Sequence, residues 1–71
     1  MIEFDLNGRK LVLEETTVRK LRADALAGSG SSTTLNDLAV ILSRALSSRK
    51  VITLRRAESR ALQDLLDTEK A

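Results

Sequence analysis

"MIEFDLNGRKLVLE" (residues 1–14) decides how the rest of the chain must fold. Two runs of alternating apolar residues flank Asn7-Gly8, the dipeptide preferred in a two-residue type I′ hairpin turn. Closing the turn between Leu6 and Arg9 sets Asp5 opposite Lys10, Phe4 opposite Leu11, Glu3 opposite Val12 and Ile2 opposite Leu13. Directly opposed residues share a face of the ribbon, so Ile2, Phe4, Leu11 and Leu13 converge on one side. The other side carries an Asp5–Lys10 pair, with Glu3 beside Val12. A hairpin over residues 2–14 with one apolar face needs cover, and the remaining chain has to supply it.

Residues 17–27 read as a short helix capped by Thr16 or Thr17, with Val18, Leu21 and Ala25 as its apolar stripe and Gly28 as its stop signal. Arg19, Lys20 and Arg22 crowd its first turns, where the helix dipole favours acids. "GSGSST" (28–33) is linker-like, and six residues suit a helix–helix connection. The strongest helical pattern covers residues 35–47. Thr34 and Asp37 stand at capping-box spacing, and Leu35, Leu38, Ala39, Ile41, Leu42, Ala45 and Leu46 form a broad apolar face. Such width implies a central helix touched by several elements. Val40 falls outside it.

"SSRK" (47–50) turns the chain into a strand at residues 51–54, and a last helix follows over residues 56–68. Its expected buried set is Ala57, Ala61, Leu62, Leu65 and Leu66. The N-cap position falls on Arg55, followed by Arg56, where an oxygen acceptor and negative charge are preferred. One explanation is local: Glu58, at the third helical position, reaches back to the cap amide and pairs with Arg55. The acids Asp67 and Glu69 oppose the dipole at the far end, which favours fraying. The order ββααβα describes a single α+β domain over residues 1–71, its third strand joining the hairpin sheet and its helices packed on one face. A three-stranded sheet of this size leaves edges that a second chain can pair with.

Composition narrows the chemistry. The 71 residues contain no Cys and no His, which removes disulfides, thiolate or imidazole metal sites, the usual general base and the best nucleophile. Twelve basic residues against ten acidic give a formal charge of +2, a weak bias. Phe4 is the sole aromatic residue, so base stacking of the RNA-module kind has no support. No apolar run reaches a membrane span, the N-terminus lacks a signal-peptide pattern, and a cytoplasmic location is expected. The preference for Arg and Ala over Lys and aromatics points weakly to a bacterial or phage source.

Individual motifs mostly have bland readings. Ser47, Ser48 and Lys50 supply the residue types of a Ser–Lys nucleophile–base pair, but in a solvated turn without an evident oxyanion hole. "GSGSS" lacks the Lys-Ser/Thr of a phosphate loop. The two helices around it resemble a helix-turn-helix only in outline, because the connection is long and the second helix is the most apolar element. No catalytic, metal or cofactor site and no small-molecule substrate is expected. Two surfaces stand out. Arg49, Lys50, Arg55 and Arg56, with Arg19, Lys20 and Arg22, would make a basic rim for an anionic partner if the fold gathers them. Val12 and Val40 are stray apolar residues of the kind found at protein interfaces. The expected function is a small non-enzymatic binding, regulatory or accessory protein whose partner is another protein, a second copy or a larger assembly included. The alternative is a nucleic-acid-binding module that contacts phosphates through the Arg/Lys rim.

Overall fold

A computed structural model of the chain describes residues 1–48 and 50–70. The elements follow in the expected order: β1 (Ile2–Leu6), β2 (Arg9–Leu13), α1 (Glu15–Gly28), α2 (Thr33–Ser47), β3 (Ile52–Leu54) and α3 (Arg56–Lys70). β1 and β2 are antiparallel in the register Ile2–Leu13, Glu3–Val12, Phe4–Leu11, Asp5–Lys10 and Leu6–Arg9. Asn7 and Gly8 both take positive φ, 55° and 96°, as a type I′ turn demands. Asp5 does not pair with Lys10. Its Oδ1 accepts the Gly8 N–H at 2.9 Å and braces the turn, which leaves the Lys10 ammonium to pair diagonally with Glu3 at 3.2 Å.

β3 joins on the other side of β1, in parallel, giving a three-stranded mixed sheet of order β2-β1-β3. A parallel neighbour needs a long crossover, and the α1–α2 hairpin provides it. All three helices pack on the face that carries Phe4, Leu6 and Leu54. The core joins these residues to Val18, Leu21 and Ala25 of α1, Leu38, Ala39, Leu42 and Ala45 of α2, and Leu62 and Leu66 of α3. Ile2, Leu11 and Leu13 border it, half-buried. α2 lies between α1 and α3, so its apolar face has two helices to serve, which explains its width. Phe4, Val18, Leu21, Leu38, Leu42 and Leu62 are fully buried. At roughly 1.5–3 kcal/mol for a buried side chain of this size, these six carry much of the hydrophobic stabilisation.

The helix boundaries depart from expectation in instructive ways. α1 starts at Glu15, one residue after β2, so Thr16 and Thr17 lie inside its first turn and neither caps it. Glu14 holds the cap position without a side-chain bond. The earlier start brings Glu15 into the first turn, where its charge suits the dipole and its carboxylate pairs with Arg19 at 3.0 Å. Gly28 is not a left-handed stop. It is the last residue of α1, and a Cβ there would lie 2.5 Å from Leu35 Cδ1. A side chain at Gly28 would press on the tip of Leu35 of α2. The connection is therefore residues 29–32, shorter than expected. Its serines are committed: Ser29 Oγ donates to Leu26 O at 2.8 Å and Ser31 Oγ to Gly28 O at 3.2 Å, satisfying carbonyls at the end of α1.

α2 is capped by Ser32, whose Oγ accepts the Leu35 N–H at 3.2 Å, and not by Thr34 with Asp37. In α3 the Arg55 C=O accepts the Ser59 N–H at 2.8 Å, so Arg55 does precede the helix. Glu58 does not pair with Arg55. It is 8% exposed, one turn before Leu62 and two before Leu66 on the buried row, and Ala57 faces solvent in its place. The row of one helical face selects the position, and the neighbouring residue, though apolar, points away.

Capping is directly testable. Ser32→Ala should cost about 1 kcal/mol in urea unfolding, whereas Thr34→Ala should change stability by less than about 0.5 kcal/mol. Equal losses from both would contradict the cap assignment.

Candidate interaction surface

Because the helices cover one face, the other face of the sheet is open. Alternation places Glu3 and Asp5 of β1, Lys10 and Val12 of β2, and Thr53 of β3 on it. Val12 is 43% exposed, and Val51, just before β3, is 51% exposed. The parallel register, carried one residue back, sets Val51 beside Glu3 on the side away from Val12. Met1 is exposed as well and shares a hollow with Glu3, Lys50 and Val51. Sequence reading missed Val51, although the alternation Val51-Ile52-Thr53-Leu54 carries the signal: Ile52 and Leu54 face the core, so Val51 and Thr53 face out.

Val40 belongs elsewhere. It is 47% exposed on α2 and borders a hollow with Asp37, Ile41, Thr53, Arg55 and Glu58. Val12 lies on β2, at the opposite edge of the sheet, so the two valines serve different surfaces. The sheet also ends in two strand edges, β2 with five residues and β3 with three.

The basic residues are spread over the molecule. Arg19 is held by Glu15. Lys20 lies near Asp24 and Glu69, where α1 and the end of α3 meet. Arg22 is half-buried, and its Nε has no hydrogen-bond partner among the described residues. Lys50 stands at the sheet end beside Met1 and Glu3, and Arg49 lies outside the described residues. Arg55 and Arg56 are exposed but border different hollows. Two arginines outside the expected rim border hollows along α3. Arg60, one turn past Arg56 along α3, shares with it a hollow of about 500 Å³ that also includes Asp64. Arg60 borders a second hollow with Arg9 of the hairpin, whose Nη2 donates to Gln63 Oε1 at 3.0 Å. The i, i+4 spacing of Arg56 and Arg60 was legible. The arrival of Arg9 was not, because it depends on how α3 crosses the turn.

The remaining motifs are tied up locally. Ser47 Oγ donates to Arg44 O at 3.2 Å and Ser48 Oγ accepts the Lys50 N–H at 3.1 Å, so the serines finish α2 and form the turn. Among the described residues no group of three acidic side chains is placed to hold a metal ion. No helix among them is long and apolar enough to cross a membrane. No protein-family model, curated protein or solved structure matches the chain.

One titrating contact is resolved. A hydrogen bond with Asp24, together with lost hydration and the Asp24 charge, raises the Glu69 carboxyl above its ordinary value, and Lys20 works against the rise. The charged form of Glu69 is therefore disfavoured beside Asp24 across the α1–α3 contact. As pH falls through the raised value, the folded protein takes up its proton before the unfolded chain does, and the penalty disappears. Glu69→Gln should therefore raise the thermal midpoint at neutral pH and leave it unchanged near about pH 3, below the carboxyl range of either state. A midpoint shift of equal size at both pH values would contradict the contact.

Proposed function

We propose that the chain is a small, non-enzymatic, cytoplasmic binding or accessory protein whose partner is another protein, a second copy of itself included. The observation that carries this reading is the uncovered side of the sheet. It presents exposed Val12, Val51 and Met1 around Glu3 and Lys10, next to an unpaired five-residue edge. An apolar and charged mixture on a flat, partly unpaired surface suits a protein interface better than it suits a substrate. Ser48 and Lys50 border one hollow, but Ser48 Oγ accepts the Lys50 backbone N–H and Ser47 Oγ donates to Arg44 O, so among the described residues neither serine is paired with a side-chain base.

A second reading rests on the arginines of α3. Arg56 and Arg60 line one side of the helix, and Arg9 extends that side onto the hairpin turn, an arrangement able to follow phosphates. Asp64 borders both hollows and opposes it. The connection of residues 29–32 has a length compatible with helix-turn-helix. Even so, the outward strip of α2 (Asn36, Asp37, Val40, Ser43, Arg44) offers one cation balanced by one acid, a poor complement to a groove.

Light scattering across a concentration series separates the readings. Self-association predicts a mass that rises towards twice the 7.8 kDa chain, with no salt-steep binding of a labelled DNA duplex. The phosphate reading predicts a monomer whose duplex affinity falls steeply with salt and is lost in Arg56→Ser/Arg60→Ser.

A further inference from the structure

We infer that two copies of the chain pair along the free edge of β2, antiparallel and two-fold about Val12. Val12 then meets Val12 of the second copy, and Lys10 meets Glu14 of the second copy at either end. This rests on the self-association reading and assigns its surface.

The backbone determines which groups are on offer. A type I′ turn closes with a bond from the N–H of its fourth residue to the C=O of its first, so Arg9 is bonded to Leu6. By alternation Leu11 and Leu13 also face β1. The N–H groups of Lys10 and Val12 point to the free edge. Glu14 prolongs that edge, since its backbone stays extended at φ −72° and ψ 152° before α1 begins. Its C=O already accepts the Val18 N–H at 3.0 Å, which leaves its N–H for the Lys10 carbonyl of the other copy. Lys10, Val12 and Glu14 are all exposed.

The side chains then select the register. Opposed residues must share a face if both sets of helices are to stay on one side, which restricts the two-fold to Lys10, Leu11 or Val12. About Lys10, two ammonium groups collide. About Leu11, Lys10 falls on Val12 and Arg9 on Leu13, so charge meets hydrocarbon. About Val12, Lys10 meets Glu14, valine meets valine, and on the core side Leu11 meets Leu13. Both leucines are half-buried at the border of the core, and this register finishes covering them. An edge lysine ordinarily deters pairing. Here Glu14 supplies its complement, and Lys10 ends between that carboxylate and its own Glu3. The result is a continuous six-stranded sheet with all helices on one face.

An interface confined to one strand edge is at the small end of specific contacts, so the dimer should dissociate at about micromolar concentration. The test is a set of charge reversals followed by sedimentation or light scattering, with circular dichroism as the fold control. Lys10→Glu alone and Glu14→Lys alone should each weaken the dimer by about tenfold or more. An equimolar mixture of the two variants should restore it, because every opposed pair in the heterodimer is again Glu with Lys. The double variant should also restore it, by the same exchange within one chain. Dimers of wild-type strength from both single variants would overturn the β2 register while leaving self-association standing. Single variants that stay monomeric in the mixture, though folded, would overturn it as well. A wild-type mass that stays at one chain up to about 1 mM would overturn both the register and the self-association reading on which it rests.

Discussion

The turn at Asn7-Gly8 is the constraint on which the rest of the structure depends. With two residues in left-handed conformation, the ribbon has one closing pair, and every opposition from Leu6–Arg9 to Ile2–Leu13 follows from it. That register puts Phe4 and Leu6 on the side where β3 and three helices gather, and it puts Glu3, Asp5, Lys10 and Val12 on the side that stays open. A slip by one residue would bury the charges and expose the phenylalanine. The bond from Gly8 N–H to Asp5 Oδ1 reinforces the turn from within the strand. It also redirects Lys10 to Glu3, so a local hydrogen bond decides which ion pair forms across the ribbon.

The fold was legible from the sequence because its large features are written in periodicities. Alternation around a strong turn identified the hairpin and its register. The wide apolar face at residues 35–47 identified the central helix, and the short β-branched run at residues 51–54 identified the third strand. Details governed by competition between neighbours were not legible. Thr34 and Asp37 stand at capping-box spacing on paper, but α2 starts at Thr33 and Ser32 holds the cap. Ala57 looked buried and Glu58 looked like a capping partner, yet α3 is rotated so that Glu58, Leu62 and Leu66 share the inner row.

The candidate surfaces were legible only in part, and for a different reason. Exposure of Val12 and Val40 follows from one element at a time, so sequence can anticipate it. Convergence of charges depends on how elements cross. The basic residues distribute over the α1–α3 contact, the sheet end and the start of α3, while Arg9 and Arg60 come together across a tertiary contact. Apolar residues on the open side of the sheet, beside an unpaired edge, form a more coherent feature than the cations do. The functional reading leans on the sheet for that reason.

Amide hydrogen exchange, followed residue by residue by NMR at low and high protein concentration, tests the central claim most directly. The register of the hairpin predicts slow exchange for Leu11 and Leu13 at every concentration, since their N–H groups are bonded to β1. It predicts fast exchange for Lys10 and Val12 in the dilute protein, and protection of Val12 and Glu14 as concentration rises and the second copy docks. Protection of Lys10 and Val12 in the dilute monomer, with Leu11 and Leu13 exchanging freely, would contradict the register and every assignment of faces that follows from it.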